Sequence, residues 1–328
     1  MIYDGKLLNR ASEELRHRSE RHQRMLEARE ADIEEKFPRI REIDISLRRS
    51  VIQVIHTALS GGENASAGVQ KQNELNLTLR AERAKILTDN GYPAGFLNSD
   101  PMCPYCSDTG YTEKGMCSCL MDIYCGEVAK ALEEEDGLIR HSFDEFDPKL
   151  FSDEISGDSR LSPRDNIKYI YSECLSLAKN PASYRNFFMC GGPGTGKTFM
   201  ASCIAYKAAE IGYRTIYRDA ATLLSRYEED RFHRGETAQS EVERFENCDL
   251  LIIDGLGSEI ITSMSVSYLY KLLNTRISRR KSTIVISSLG IGDIRQRYSA
   301  QIASRLDGEF TPLNFFGGDV RRLTRKKY

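Results

Sequence analysis

No stretch of this 328-residue chain approaches the roughly eighteen consecutive apolar residues of a membrane-spanning helix, and the opening Met1-Ile2-Tyr3-Asp4-Gly5-Lys6 has no secretory-leader pattern. The expectation is a cytoplasmic protein with no membrane partner. An excess of charge of one sign is also missing. The 46 Lys and Arg set against 48 Asp and Glu leave a formal net charge of -2, so the chain as a whole makes no electrostatic case for nucleic acid. There is no internal repeat and no low-complexity tract. Nine cysteines without a leader argue against a disulfide framework, because a reducing compartment keeps thiols free. Cys174, Cys190, Cys203 and Cys248 stand singly among apolar neighbours and read as small core residues. What remains is a globular chain, 40% hydrophobic and 29% charged, long enough for two or three domains, one of them able to hold a doubly wound sheet.

The most informative stretch is Gly191-Gly192-Pro193-Gly194-Thr195-Gly196-Lys197-Thr198, which follows the apolar run Phe187 to Cys190 and precedes a helical pattern from Phe199 to Ile211. This is G-x-x-x-x-G-K-[ST], a Walker A loop, in its strand–loop–helix setting. The glycines let successive backbone amides turn toward one anion, and the helix N-terminus adds partial positive charge. Lys197 is placed to reach the β- and γ-phosphates, and Thr198 to ligate Mg²⁺. Gly191 through Thr198, with Phe199 at the start of the helix, are therefore the expected nucleotide-binding residues, and ATP with Mg²⁺ the expected cofactors.

Around that loop, helix and strand signals alternate from Pro163 to Phe316, which specifies a parallel sheet covered by helices. Ahead of it, residues 7 to 59 are rich in Glu, Arg and Leu and read as two helices broken at Pro38, the second with a broad apolar face of Ile43, Ile45, Leu47, Val51, Ile52, Val54 and Ile55. A further helix is expected from Lys71 to Thr88. Composition alone leaves this charged module either a solvated bundle or a docking arm. The expected organisation is a helical N-terminal region over 1–100, a small cysteine module over 101–126, a helix and linker over 127–160, and a nucleotide-binding domain with a basic tail over 161–328.

Cys103-Pro104-Tyr105-Cys106 and Cys117-Ser118-Cys119 bring four thiols into seventeen residues as two close pairs joined by a glycine-containing hairpin. That set suits a closed tetrahedral Zn²⁺ site better than it suits common iron–sulfur spacings, while a reduced, metal-free loop is the plain alternative. Cys125 lies near enough in sequence to replace one ligand. So short a segment has little core of its own, and loss of metal should unfold it.

Asp249-Leu250-Leu251-Ile252-Ile253-Asp254 is a buried-strand pattern ending in a carboxylate, the Walker B pattern, with Asp254 as the second Mg²⁺ residue. The residue after it, where an acid that polarises water is expected, is Gly255, and the next carboxylate is Glu259. At the end of the following strand Ser288 occupies the position of a water-orienting polar residue. Both features point to slow hydrolysis. Arg305, in Gln301-Ile302-Ala303-Ser304-Arg305-Leu306, is either an arginine finger or a solvated helix residue, and Arg321 is a candidate for contacting the nucleotide of its own subunit. Five basic residues in the last eight either touch a phosphate backbone or form a solvated end.

Taken together, these motifs resemble bacterial replicative helicase loaders of the DnaC/DnaI type and the AAA+ group they share with IstB-type transposition helper ATPases. The resemblance rests on Asn90-Gly91-Tyr92-Pro93, Cys103-x-x-Cys106-Ser107-Asp108-Thr109-Gly110-Tyr111 with Cys117-x-Cys119, and Ser142-Phe143-x-x-Phe146. It continues through the Walker loop, Asp254-x-Leu256-Gly257-Ser258-Glu259, Ile302-Ala303-Ser304-Arg305-Leu306 and Gly318-Asp319-Val320-Arg321. It implies an AAA+ domain with a five-stranded parallel sheet and self-association through that domain, with Arg305 acting in trans and Arg321 in cis. It further implies a hexameric replicative helicase gripped by the N-terminal region and single-stranded DNA as a partner. The alternative it leaves is a transposition helper acting on duplex DNA with a transposase.

Overall fold

The computed structural model describes residues 3–59, 65–155, 160–232 and 241–321. The chain divides into two compact units, Met1–Ala11 with Ser118–Tyr328, and Ser12–Cys117.

The Glu- and Arg-rich N-terminal sequence forms α1 (Gly5–Lys36), α2 (Pro38–Leu59) and α3 (Ala65–Asp89). Proline lacks a donor and is tolerated in a first helical turn, so the break falls at Phe37. In the Ser12–Cys117 unit, Ile33, Ile40 and Leu87 form a small core with Phe37, Ile86, Tyr92, Phe96 and Leu97 against it. Arg39 on α2 forks onto Glu82 of α3 at 2.8 and 3.1 Å, and Arg83 reaches the buried Asp44 at 2.8 Å. The apolar face expected along α2 is buried only at its beginning. Ile43 is buried, whereas Ile45, Val51 and Ile52 are exposed, as are Leu75 and Leu77 on α3. Each helix of this hairpin covers one stripe of the other and leaves the rest to solvent. The side chains of Val54 and Ile55 lie outside the described residues. The cysteine segment forms an antiparallel hairpin of β1 (Tyr111–Thr112) and β2 (Gly115–Met116).

The larger unit opens with α4 (Ser118–Glu134) and α5 (Pro163–Lys179), the latter started by Ser162, whose hydroxyl accepts from the Asp165 amide. There follow β3 (Phe187–Gly191), α6 (Lys197–Ala209), β4 (Thr215–Asp219), α7 (Ala220–Phe232), α8 (Glu241–Asn247) and β5 (Leu250–Leu256). The unit continues through α9 (Ser263–Ser278), β6 (Ser282–Ser287), α10 (Ile291–Arg297), α11 (Ala300–Glu309) and β7 (Thr311–Phe315). The strands form one five-stranded parallel sheet in the order β4-β5-β6-β3-β7. The first four residues of β5 and all of β6 are buried, as strands covered on both faces must be. The chain leaves β3 for the far edge at β4, returns through β5 and β6, and crosses to β7 on the other side. The sense of winding therefore reverses at β3, which puts a ligand crevice at its carboxyl end.

Two polar anchors stiffen this unit. Arg276 on α9 is fully buried and gives its guanidinium to the carbonyls of Phe245 (2.6 Å), Cys248 (3.0 Å) and Ser282 (2.6 Å) and to the Thr283 hydroxyl (2.9 Å). The first residues of the chain also belong to it. Asp4 donates its amide to the Tyr124 hydroxyl at 3.0 Å and pairs with Arg244 at 3.2 Å, and Lys6 and Arg10 both reach Glu135. Among the described residues no helix is long and apolar enough to cross a membrane.

Candidate nucleotide site

The loop from Gly191 to Gly196 leaves the end of β3 and delivers Lys197 as the first residue of α6, with Gly196 at φ +96° as its cap. Gly194, at φ +73°, lies against the Asp319 carboxylate, where a Cβ would collide, and its carbonyl accepts from the Val320 amide at 3.0 Å. The segment Gly318-Asp319-Val320-Arg321 is thus docked on the loop, and Arg321 is close enough for its charge to act on Lys197. The loop is closed on itself by Thr195, whose hydroxyl bonds the Gly192 carbonyl at 2.8 Å. Lys197 Nζ donates to the carbonyls of Gly191 and Gly192, both at 2.7 Å. Burial holds its ammonium below the ordinary lysine value, Arg321 adds to that, and Asp254 and Cys190 oppose it.

Thr198 and Asp254, expected to share a cation, are brought together: Thr198 Oγ1 donates to Asp254 Oδ2 at 3.0 Å. A third group meets them there. The Tyr217 hydroxyl, from β4, donates to the same carboxylate oxygen at 2.6 Å. Burial first, then the Asp254 hydrogen bond and the charges of Asp254 and Asp219, push the Tyr217 phenol well above its ordinary value. Sequence reasoning passed over Tyr217. The available signal was two polar residues at i and i+2, Tyr217 and Asp219, at the carboxyl end of a strand.

The other expected residues fall differently. Glu259 is buried, and its carboxylate accepts from the Gly257 amide at 2.8 Å and from the Tyr298 hydroxyl, so it fastens the turn after β5 to the junction of α10 and α11. Ser288 is exposed and sits one residue past β6, while the hydroxyl engaged at the strand end is that of Ser287, which bonds the Leu256 carbonyl at 2.5 Å. Arg305 is half-buried on α11 near Tyr270, whose phenol Asn274 and Arg305 together hold below its usual value. Phe199 packs its ring against His141 at 5.0 Å.

The cysteine set is local in the chain. The sulfurs of Cys103, Cys106, Cys117 and Cys119 all lie within 4.8 Å of one another, with Cys103 and Cys117 3.7 Å apart. Four thiolates at about 2.3 Å from a tetrahedral zinc are about 3.8 Å apart, so this donor set fits that ion. Backbone amides face the sulfurs: Gly110 donates to Cys106 at 3.3 Å, and hydrogen bonds from the Cys106 and Tyr105 backbone bring the Cys103 thiol down to about 7 despite burial. Asp108 steadies the turn through the amides of Met102 and Cys103. Cys125 is not part of the group.

Residues 174–305 match the family model described as IstB-like ATP binding protein. An IS21 insertion-sequence ATP-binding protein of Pseudomonas aeruginosa is 28% identical over 151 residues, which is 43% of this chain and 54% of that protein. The replicative helicase loader DnaC of Buchnera aphidicola is 26% identical over 129 residues, 39% of this chain and 51% of that protein. The chain spans about half the length of these curated relatives. A crystal structure of the DnaC helicase loader aligns with a TM-score of 0.44 and 19% identity, over 53% of this chain and 96% of that one. The strand order and the Walker loop are those of a P-loop nucleotide-binding core, and its residues 174–305 are similar to IstB-like ATP-binding proteins.

Proposed function

We propose that this protein is an ATP-dependent loader that delivers a replicative DNA helicase onto single-stranded DNA, with nucleotide binding and hydrolysis as its switch. The observation that carries the reading is the conjunction, in one chain, of this ATP-binding core with an upstream four-cysteine cluster and a helical hairpin whose Ile45, Val51, Ile52, Leu75 and Leu77 are left exposed. Apolar side chains left exposed on a charged hairpin are what a partner-docking arm offers.

In this reading the amides of Gly194 to Thr198 and the α6 N-terminus cradle the phosphates. Lys197 leaves the Gly191 and Gly192 carbonyls for the β- and γ-phosphate oxygens. Thr198 and Asp254, already in contact, would hold Mg²⁺. Bound magnesium neutralises charge on the transferring phosphate. Arg321, docked on the loop, addresses the nucleotide of its own subunit, and Arg305 that of a neighbour in an assembly. Cys103, Cys106, Cys117 and Cys119 would hold a structural zinc.

The second reading is a transposition helper ATPase. It is favoured by the IstB-like family match and by the IS21 relative. The deciding experiment mixes the full chain with the replicative helicase of its source on size exclusion, with and without Mg·ATP. The loader reading expects a stable complex that the combined Ile52→Glu and Leu77→Glu change weakens. Absence of a complex, together with ATP-dependent assembly on duplex DNA, overturns it in favour of the helper.

A further inference from the structure

Phosphoanhydride hydrolysis in a P-loop site needs a group that orients and deprotonates water, besides the groups that hold the phosphates and cation. Neither sequence neighbour of Asp254 provides it. Gly255 has no side chain, and the Glu259 carboxylate is buried on the Gly257 amide and the Tyr298 hydroxyl.

The adjacent strand offers another carboxylate. β4 and β5 pair in parallel with Tyr217 opposite Ile252 and Asp219 opposite Asp254. Register partners on neighbouring strands are about 4.8 Å apart and point to the same face of the sheet. Tyr217 shows which face this is, since its hydroxyl lies 2.6 Å from Asp254 Oδ2, beside Thr198. Asp219, two residues on, shares it. The charge of Asp219 acts on that same phenol.

Asp219 is also restrained at the strand end. It is the last residue of β4, exposed at the carboxyl edge of the sheet where the Walker loop opens. Its Oδ1 accepts from the Thr222 amide at 2.9 Å, capping α7 and fixing the carboxylate's orientation. Its other oxygen has no hydrogen-bond partner among the described residues.

We infer that Asp219 is the general base of ATP hydrolysis in this chain, standing in from the neighbouring strand for the acid that Gly255 does not supply. The inference rests on the ATPase reading of the site. In the step, a water oxygen attacks the γ-phosphorus and its proton passes to Asp219 Oδ2. The bond from the γ-phosphorus to the bridging oxygen breaks, ADP keeps that electron pair, and Asp219 then releases the proton to solvent. Asp254 stays ionised on the cation side.

The test compares the full-length wild type with Asp219→Asn and Asp219→Ser in single-turnover hydrolysis of Mg·ATP, alongside binding of a fluorescent ATP analogue. Asn and Ser both cap helices, so both variants keep the Thr222 contact and the fold while losing the base. The expected result is analogue binding within about twofold of wild type and hydrolysis slowed by about 100-fold or more in both variants. Hydrolysis within about threefold of wild type, at unchanged binding, overturns the inference and leaves the ATPase reading standing. A wild type that binds the analogue and never cleaves ATP also overturns it. Failure of the wild type to bind the analogue at all refutes the nucleotide reading itself.

Discussion

Replacing Gly255 tests whether that residue is there for its backbone or for want of a carboxylate. β5 continues through Asp254 and Gly255 to Leu256, but its register against β6 shifts between Ile253 and Leu256. Ile253 pairs with Val285 and Leu256 with Ser287, so Asp254 and Gly255 together oppose Ile286. This is a bulge on the β6 side of the strand, while Asp254 keeps its register with Asp219 on β4 and its contacts with Thr198 and Tyr217. Gly255 makes the turn at φ +72°, and its carbonyl is fixed by the Ser258 amide at 3.0 Å and the Ser258 hydroxyl at 2.7 Å.

A residue with a Cβ pays about 1–2 kcal/mol for left-handed backbone, and Asn or Asp about half of that because they visit the region readily. An added Cβ would meet Ser258 Oγ at 3.3 Å, a tight contact with a hydroxyl already committed to the Gly255 carbonyl. Gly255→Ala should therefore lose about 1–2 kcal/mol in a urea titration, and Gly255→Asn about 0.5–1 kcal/mol, with unchanged m-values. Gly255→Asp should lose more stability than Asn, because it adds a second carboxylate next to Asp254, and should not raise ATP turnover. Equal stability of Ala and glycine within about 0.3 kcal/mol would refute the backbone argument. A several-fold rise in turnover for Gly255→Asp would show that the missing carboxylate limits hydrolysis.

Two further outcomes follow from the buried groups. Changing Cys103 and Cys106 together to Ser should abolish one equivalent of bound zinc by metal analysis and expose the 101–117 segment to protease, and a zinc content equal to wild type would remove the metal assignment. Arg276→Met keeps much of the side-chain volume but strands the carbonyls of Phe245, Cys248 and Ser282 without donors. At about 1–3 kcal/mol for each buried unsatisfied group, and less than additively, the loss should reach about 3–5 kcal/mol in equilibrium unfolding; a loss below about 1 kcal/mol would mean that water replaces the guanidinium.

What was legible in the sequence was what is local in the chain. The Walker loop is one contiguous segment, and Asp254 ends an uninterrupted apolar run, so both could be placed without knowing any strand partner. The cysteine set is legible for the same reason. Tyr217 and Asp219 were not, because their relation to Asp254 is a register between strands some thirty-five residues apart, and nothing in either segment states the pairing. Glu259 shows the converse hazard. It is near Asp254 in sequence, yet the turn through Gly255 and Gly257, both at positive φ, sends its carboxylate inward to Tyr298. The seven-residue α8 was too short to declare a period, and the membership of Asp4, Lys6 and Arg10 in the larger unit depends on ion pairs to Arg244 and Glu135 far along the chain.

The candidate site also reaches beyond its motifs in a way that constrains how Asp254 is held. β4 is an edge strand, so the outward amide of Tyr217 has no ladder partner. Asp136, just past the end of α4, accepts that amide at 2.8 Å and pairs with the neighbouring Arg218, both side chains nearly buried. Burial holds the Arg218 guanidinium below its ordinary value, and the ion pair with Asp136 gives that buried charge a partner. One aspartate therefore satisfies an orphan donor and a buried cation at once, and it fixes the residue whose hydroxyl reaches Asp254. The orientation of the Walker B carboxylate is thus set partly by α4, the helix that begins on the second cysteine pair, and the geometry of the nucleotide site depends on a contact that neither Walker motif encodes.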